Sequence, residues 1–167
     1  MHAFKSSSLA AMSLLLFLPL IPAMAQSPAK VVLNPQNLSN TTQYGYSQIA
    51  MVSAGSRTIY IAGQVGFAKD GPNDFETQVD RAFGNLTSAL AAAGATPSDV
   101  VKITLLIKDH SPARLAYLGK KRREVFDASP PASTLIPVPL LYTDGVSFEV
   151  DAVAVSSKPM PAAVPKR

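Results

Sequence analysis

The 167-residue chain has no cysteine, no tryptophan, only two histidines and only 16% charged residues. Each shortage excludes something. Without cysteine there is no disulfide and no thiolate nucleophile, so an exported form must stay folded on its core and its partner subunits alone. With His110 the one histidine beyond position 25, zinc sites of the Cys/His type are unavailable, and no metal is expected. Fifteen basic residues against eleven acidic ones make an excess too mild to argue for nucleic acid. The longest apolar run, Leu9 to Ile21, falls short of the roughly 20 residues that span a bilayer. It follows Lys5 and precedes Ala23-Met24-Ala25, a small-residue cleavage site. Residues 1–25 therefore read as a signal peptide, which predicts a periplasmic or secreted chain with no membrane attachment after cleavage. Removing them deletes Lys5 and no acid, leaving 14 basic and 11 acidic residues, a net +3.

What remains suits one domain. Residues 26–43, with Pro28, Pro35 and a cluster of Asn, Gln, Ser and Thr, read as an extended arm around the apolar patch Val31-Val32-Leu33. Residues 156–167 hold Pro159, Pro161 and Pro165, and read as a disordered tail. The folded domain is predicted over 44–155. Two short strands, Ser47 to Ser53 and Thr58 to Val65, flank Ala54-Gly55-Ser56-Arg57 as in a hairpin. Phe75, Val79, Phe83, Leu86 and Leu90 recur at helical spacing, after an Asn73/Glu76 capping pair and before Gly94. Val101, Ile103, Leu105 and Ile107 alternate as a strand, and Ser111-Pro112 opens a second helix to about Phe126. Strands at 133–140 and 146–155 follow, with Asp144-Gly145 as the turn between them. The order ββαβαββ predicts an α+β domain with two helices on one face of a mixed sheet. The other face needs cover of its own, which predicts an oligomer.

Several residue groups could carry chemistry, and each has a plainer alternative. Glu149 stands in an apolar strand with Asp151 on its face, so it reads either as a general acid/base that orients water or as a solvated strand end. Tyr44, Tyr46, Ser47 and Gln48 line a polar pocket or pack along an edge. Gly63-Gln64-Val65-Gly66 lets backbone approach a ligand or serves a turn, and it lacks the spacing of a phosphate loop. Lys120-Lys121-Arg122-Arg123 is an anion-attracting run or, with its members pointing in different directions on a helix, a solvated face. His110 beside Asp109, with no nucleophile motif, reads as a loop residue.

Six segments in order carry a resemblance. They are Tyr46-Ser47-Gln48; Ile61 to Gly66; Gln78 to Leu90 with Ala91-Ala92-Ala93-Gly94; Asp99 to Lys102; Pro131-Ala132-Ser133-Thr134; and Phe148 to Ala154. Over residues 44–155 the chain resembles the reactive intermediate deaminase family, also called Rid, YjgF-type or L-PSP endoribonuclease-like. That resemblance implies a chorismate-mutase-like fold, a homotrimer around a central barrel, and small-molecule pockets in the clefts between subunits. It also implies hydrolysis of enamines and imines to a carbonyl compound and ammonia with no cofactor. Residue by residue, Tyr46 matches the pocket-wall tyrosine, Gly63 lies in the matching glycine-rich strand, and Glu149 matches the glutamate that directs water. Ser133 departs from the pattern. Deaminating members have an arginine there that clamps the substrate carboxylate, which a serine cannot do. Thr134 follows it in the same substrate-binding segment. Arg57, or Arg122 of a neighbouring subunit, is a candidate to restore the charge. The resemblance thus points to an imine hydrolase lacking the usual clamp, with a non-catalytic metabolite-binding or chaperone-like trimer as the alternative. RNA cleavage, suggested by the older family name, is disfavoured by export and modest charge.

Overall fold

The computed structural model describes residues 28–161. Residues 1–27, which include the expected signal peptide, and 162–167 of the expected tail lie outside the described residues. Within them the chain forms β1 (Lys30–Leu33), β2 (Ile49–Val52), β3 (Arg57–Val65), α1 (Phe75–Ala92), β4 (Val100–Ile107), α2 (Pro112–Phe126), β5 (Ala132–Pro137) and β6 (Phe148–Ser156). Four strands make a mixed sheet in the order β3-β6-β4-β5, antiparallel except for the β4–β5 pair. One sheet face carries Ile59, Ile61, Ile103, Leu105, Ile107, Phe148, Val150, Ala152 and Ala154, which are buried in one core with Val79, Phe83, Leu86 and Leu90 of α1 and Leu118 and Phe126 of α2. The period-2 pattern of the strands and the stripe of α1 thus meet in a single layer interface. Among the described residues no helix lies on the opposite face. Tyr60 is 81% exposed there, and Thr58, Ala62 and Thr134 are exposed with it.

Local details differ from expectation in three places. β2 pairs with β1 rather than with β3, although Gly55 turns the chain between β2 and β3 at φ +78°. The Lys30 ammonium donates to Val100 O and Ser129 O at 2.8 Å each, and Ser47 N donates to Pro131 O at 2.9 Å. These bonds hold the β1–β2 ribbon at the β4–β5 side of the sheet, and β3 takes β6 as its partner. The N-cap of α1 is Asp74, whose carboxylate accepts from Thr77 N at 3.0 Å, while Asn73 braces the preceding loop through Ala68. Thr77 hydrogen bonds also hold the Asp74 carboxyl below its ordinary pKa. Finally, β5 stops at Pro137 on the sheet edge, and Val138 N makes the last bond to β4, to Ile107 O at 2.9 Å. β5 and β6 are not a hairpin, because β4 lies between them. Gly145 turns at φ +83° and rests against Phe67, and a Cβ there would sit 2.8 Å from that ring.

Gln78 explains how this end of the fold is fixed. It is 1% exposed, donates to Asn73 O and Gly145 O at 2.8 Å each, and accepts from Ser147 N at 2.9 Å. Gly66 packs on the same turn of α1 without a left-handed backbone, and a Cβ on it would lie 1.9 Å from Gln78 O. The need at Gly66 is close approach, not a positive φ.

Candidate functional site

The sequence-predicted site residues fall into two groups on opposite faces of the sheet. The first group surrounds a cavity of about 350 Å³ between α2 and the edge strand β5, lined by Tyr44, Tyr46, Leu115, Arg122, Ser133 and Leu135. That volume is within the range of small-molecule sites. Ser133 and Leu135 point to the helix side because they pair in parallel register with Ile103 and Leu105 of the core. Tyr44 ends a 3-10 turn, Thr42–Tyr44, whose start is tied by Asn40, and Tyr46 follows it beyond Gly45. Gly45 then reverses the chain at φ +74° so close to α2 that a Cβ would lie 2.7 Å from Arg122 Cβ and 2.9 Å from Arg123 N. Only glycine fits that turn and that approach.

Arg122 is the residue that the charge-run reading misplaced. Lys120 is exposed and pairs with Glu124, Lys121 pairs with Asp80 and Glu124, and Arg123 donates to Gln43 O. The run does point in different directions, as expected. Arg122, however, is only 3% exposed and projects into the cavity wall instead of solvent. Its guanidinium carbon sits 5.2 Å from the centre of the Tyr46 ring, and Nη1 donates to Ser133 Oγ at 3.3 Å. Nε is buried with no partner among the described residues. Burial lowers its pKa below the ordinary arginine value, with the Tyr46 oxygen opposing and Arg123 adding to the fall. The helical phase carried the signal, since Leu118, Arg122 and Phe126 are four residues apart and all are buried. Arg57 is elsewhere. It donates to Ala93 O at 3.1 Å and closes the C-terminus of α1.

The second group is Glu149 and Gly63. Glu149 alternates with the buried Phe148 and Val150, so it stands half-buried on the helix-free face, opposite Leu106 and Val65. β3 is irregular between Ile61 and Gln64, and the Glu149 carboxylate folds back over Gly63 in that irregularity. A Cβ on Gly63 would lie 1.7 Å from Glu149 Oε1, so glycine makes the space that the carboxylate fills. Asp151, next on this face, accepts from Thr104 N at 3.2 Å. Thr134 is on this face too, bonded to Lys102, and so is separated from Ser133 by the pleat. His110 is exposed in the loop before α2. Among the described residues no group of three or more His, Cys, Asp or Glu side chains could hold a metal.

Residues 38–156 match the family described as Endoribonuclease L-PSP. The chain is 34% identical over 98 residues to the RutC family protein YjgH of Escherichia coli, covering 58% of this chain and 73% of that one. It is 33% identical over 114 residues to the 2-iminobutanoate/2-iminopropanoate deaminase of Mus musculus, covering 66% and 80%. A crystal structure of a Rid family protein, YyfB of Yersinia pestis, superposes with a TM-score of 0.71 at 31% identity over 76% of this chain and 98% of that one.

Proposed function

We propose, from the premise that this chain belongs to the Endoribonuclease L-PSP or Rid family, that it hydrolyses a small imine or enamine without a cofactor. Some of its relatives are imine deaminases, which gives the reaction class. The observation that carries the reading for this chain is the Glu149 carboxylate seated in the space left by Gly63. In the reaction R₂C=NH + H₂O → R₂C=O + NH₃, Glu149 accepts a proton from water as its oxygen bonds to the imine carbon. It returns that proton to nitrogen to give the carbinolamine R₂C(OH)NH₂, then carries the hydroxyl proton to the amine as C=O forms and the C–N bond breaks, releasing NH₃. An enamine enters the same route after protonation at carbon.

Glu149 and the Arg122–Ser133 pocket lie on opposite sheet faces of one protomer, so a complete site needs a second copy. The helix-free face, with Tyr60 and Ala62 exposed beside Glu149, supports association through that face as a homotrimer whose clefts join the two groups. Export is part of the proposal and rests on Lys5, the apolar run and Ala23-Met24-Ala25. N-terminal sequencing of the chain recovered from the cell envelope or medium tests it. Gln26 as first residue is expected, and an intact Met1 found only in cytosol contradicts it.

Ammonia release from freshly generated imines tests the activity, with Glu149→Gln expected to abolish it. A second reading, a trimer that binds a metabolite without turning it over, is favoured by one observation, serine at position 133. It predicts saturable binding with no product.

A further inference from the structure

We infer that Arg122 is the anion anchor of the α2–β5 pocket, delivered from the helix to the place beside Ser133, and that it selects small carboxylates with an apolar or aryl substituent. The inference rests on the reading above only in taking this pocket for the ligand site, and binding requires neither Glu149 nor turnover.

A buried cation is unfavourable unless something pairs with it. The ion pairs among the described residues use Lys120 and Lys121, and none involves Arg122. What Arg122 does have is the Tyr46 ring face and one long bond to a hydroxyl. Arginine keeps its proton even when burial disfavours the charge. The molecule therefore holds a desolvated, unneutralised guanidinium at the wall of an open cavity, and an anionic ligand is what completes it. Ser133 adds to the fit, because an oxygen that accepts from Nη1 leaves its own O–H free to donate to a carboxylate. Leu115, Leu135 and Tyr44 form the rest of the wall and carry no charge. They match an apolar substituent and disfavour a second charged group. The fork geometry of guanidinium favours the planar carboxylate.

Calorimetric titration of the processed chain with 3-phenylpropionate, its neutral amide 3-phenylpropionamide, and propionate tests this. The aryl acid is expected to bind about tenfold or more tighter than the amide, the loss of one charge-assisted contact, and tighter than propionate. Arg122→Met should abolish that preference, and Arg122→Lys should weaken it. Equal affinity for acid and amide, no binding of either, or a preference that survives in Arg122→Met overturns the anchor. Should Arg122→Met not fold, the acid–amide comparison on the parent protein decides alone. Acid-selective binding without imine turnover overturns only the hydrolytic reading, and turnover without acid selectivity overturns only the anchor.

Discussion

At position 63 a hydrogen atom decides whether a carboxylate has a place to sit. Gly63→Ala puts a methyl group into the Glu149 carboxylate, so the acid must swing away. Activity is expected to fall nearly as far as in Glu149→Gln, with the fall in kcat rather than KM, as steady-state kinetics on the two variants would reveal. Arg122 and Ser133 make a paired prediction. Ser133→Arg alone sets a second guanidinium against the first and should weaken carboxylate binding, whereas Ser133→Arg with Arg122→Met should restore it, measured by the same titration. In the absence of ligand, Arg122→Met is expected to melt at the same temperature as the parent or higher, since an unpaired buried charge is replaced by apolar volume. A large fall in melting temperature would contradict the reading of Arg122 as an unneutralised charge. Of these residues, Glu149, Gly63, Tyr46 and Ser133 were legible in the sequence as candidates. Their division between two faces was not, because the face of β5 depends on its register with β4. Arg122 was legible as a candidate to restore the charge, but as a neighbouring subunit's residue; its place beside Ser133 of its own chain was not, since within a run of four basic residues only the four-residue phase of Leu118, Arg122 and Phe126 sets it apart.

Secondary structure followed local pattern wherever one face of an element meets the core. α1 and β4 are such elements, and their apolar positions lie in the core as their periodicity requires. Pairing did not follow, since the turns at Gly55 and Asp144-Gly145 look like hairpin turns while their strands choose partners from elsewhere. Long-range polar bonds settle these choices, and sequence spacing does not encode them. Gln78 is one. Gln78→Ala leaves Ser147 N and Gly145 O without their partner, and chemical denaturation should show a loss of about 1–3 kcal/mol. Lys30 is another. Burial pulls its pKa from 10.5 to about 8, against the opposing Asp99 charge. The unfolded chain therefore holds this proton to higher pH than the fold does. Stability from this group is full above pH 10.5 and is lost as pH falls through about 8. Lys30→Met should remove this rise between pH 8 and 10, and an unchanged slope in urea unfolding across that range would contradict it.

For the molecule as a whole, a sheet with helices on one face leaves a second face to be covered. The strand pattern made this legible early, because Val153 and Val155 share the Glu149 side of β6 and leave no polar side to its end. Within the protomer, Val155 is buried, but Tyr60 and Ala62 remain exposed. Native mass spectrometry is expected to find three chains, and Tyr60→Glu, which sets a charge on that face, should yield monomers that still bind carboxylates but hydrolyse nothing. Together the two half-sites would let Glu149 supply hydrolytic chemistry to a pocket charged by Arg122. The most direct test is release of ammonia from freshly generated 2-iminopropionate and bulkier imino acids by the processed protein, beside Glu149→Gln, Arg122→Met and a buffer blank. Turnover above the blank is expected, vanishing in Glu149→Gln and acquiring a raised KM in Arg122→Met. Turnover no faster than the blank across these imino acids, or undiminished in Glu149→Gln, would contradict it.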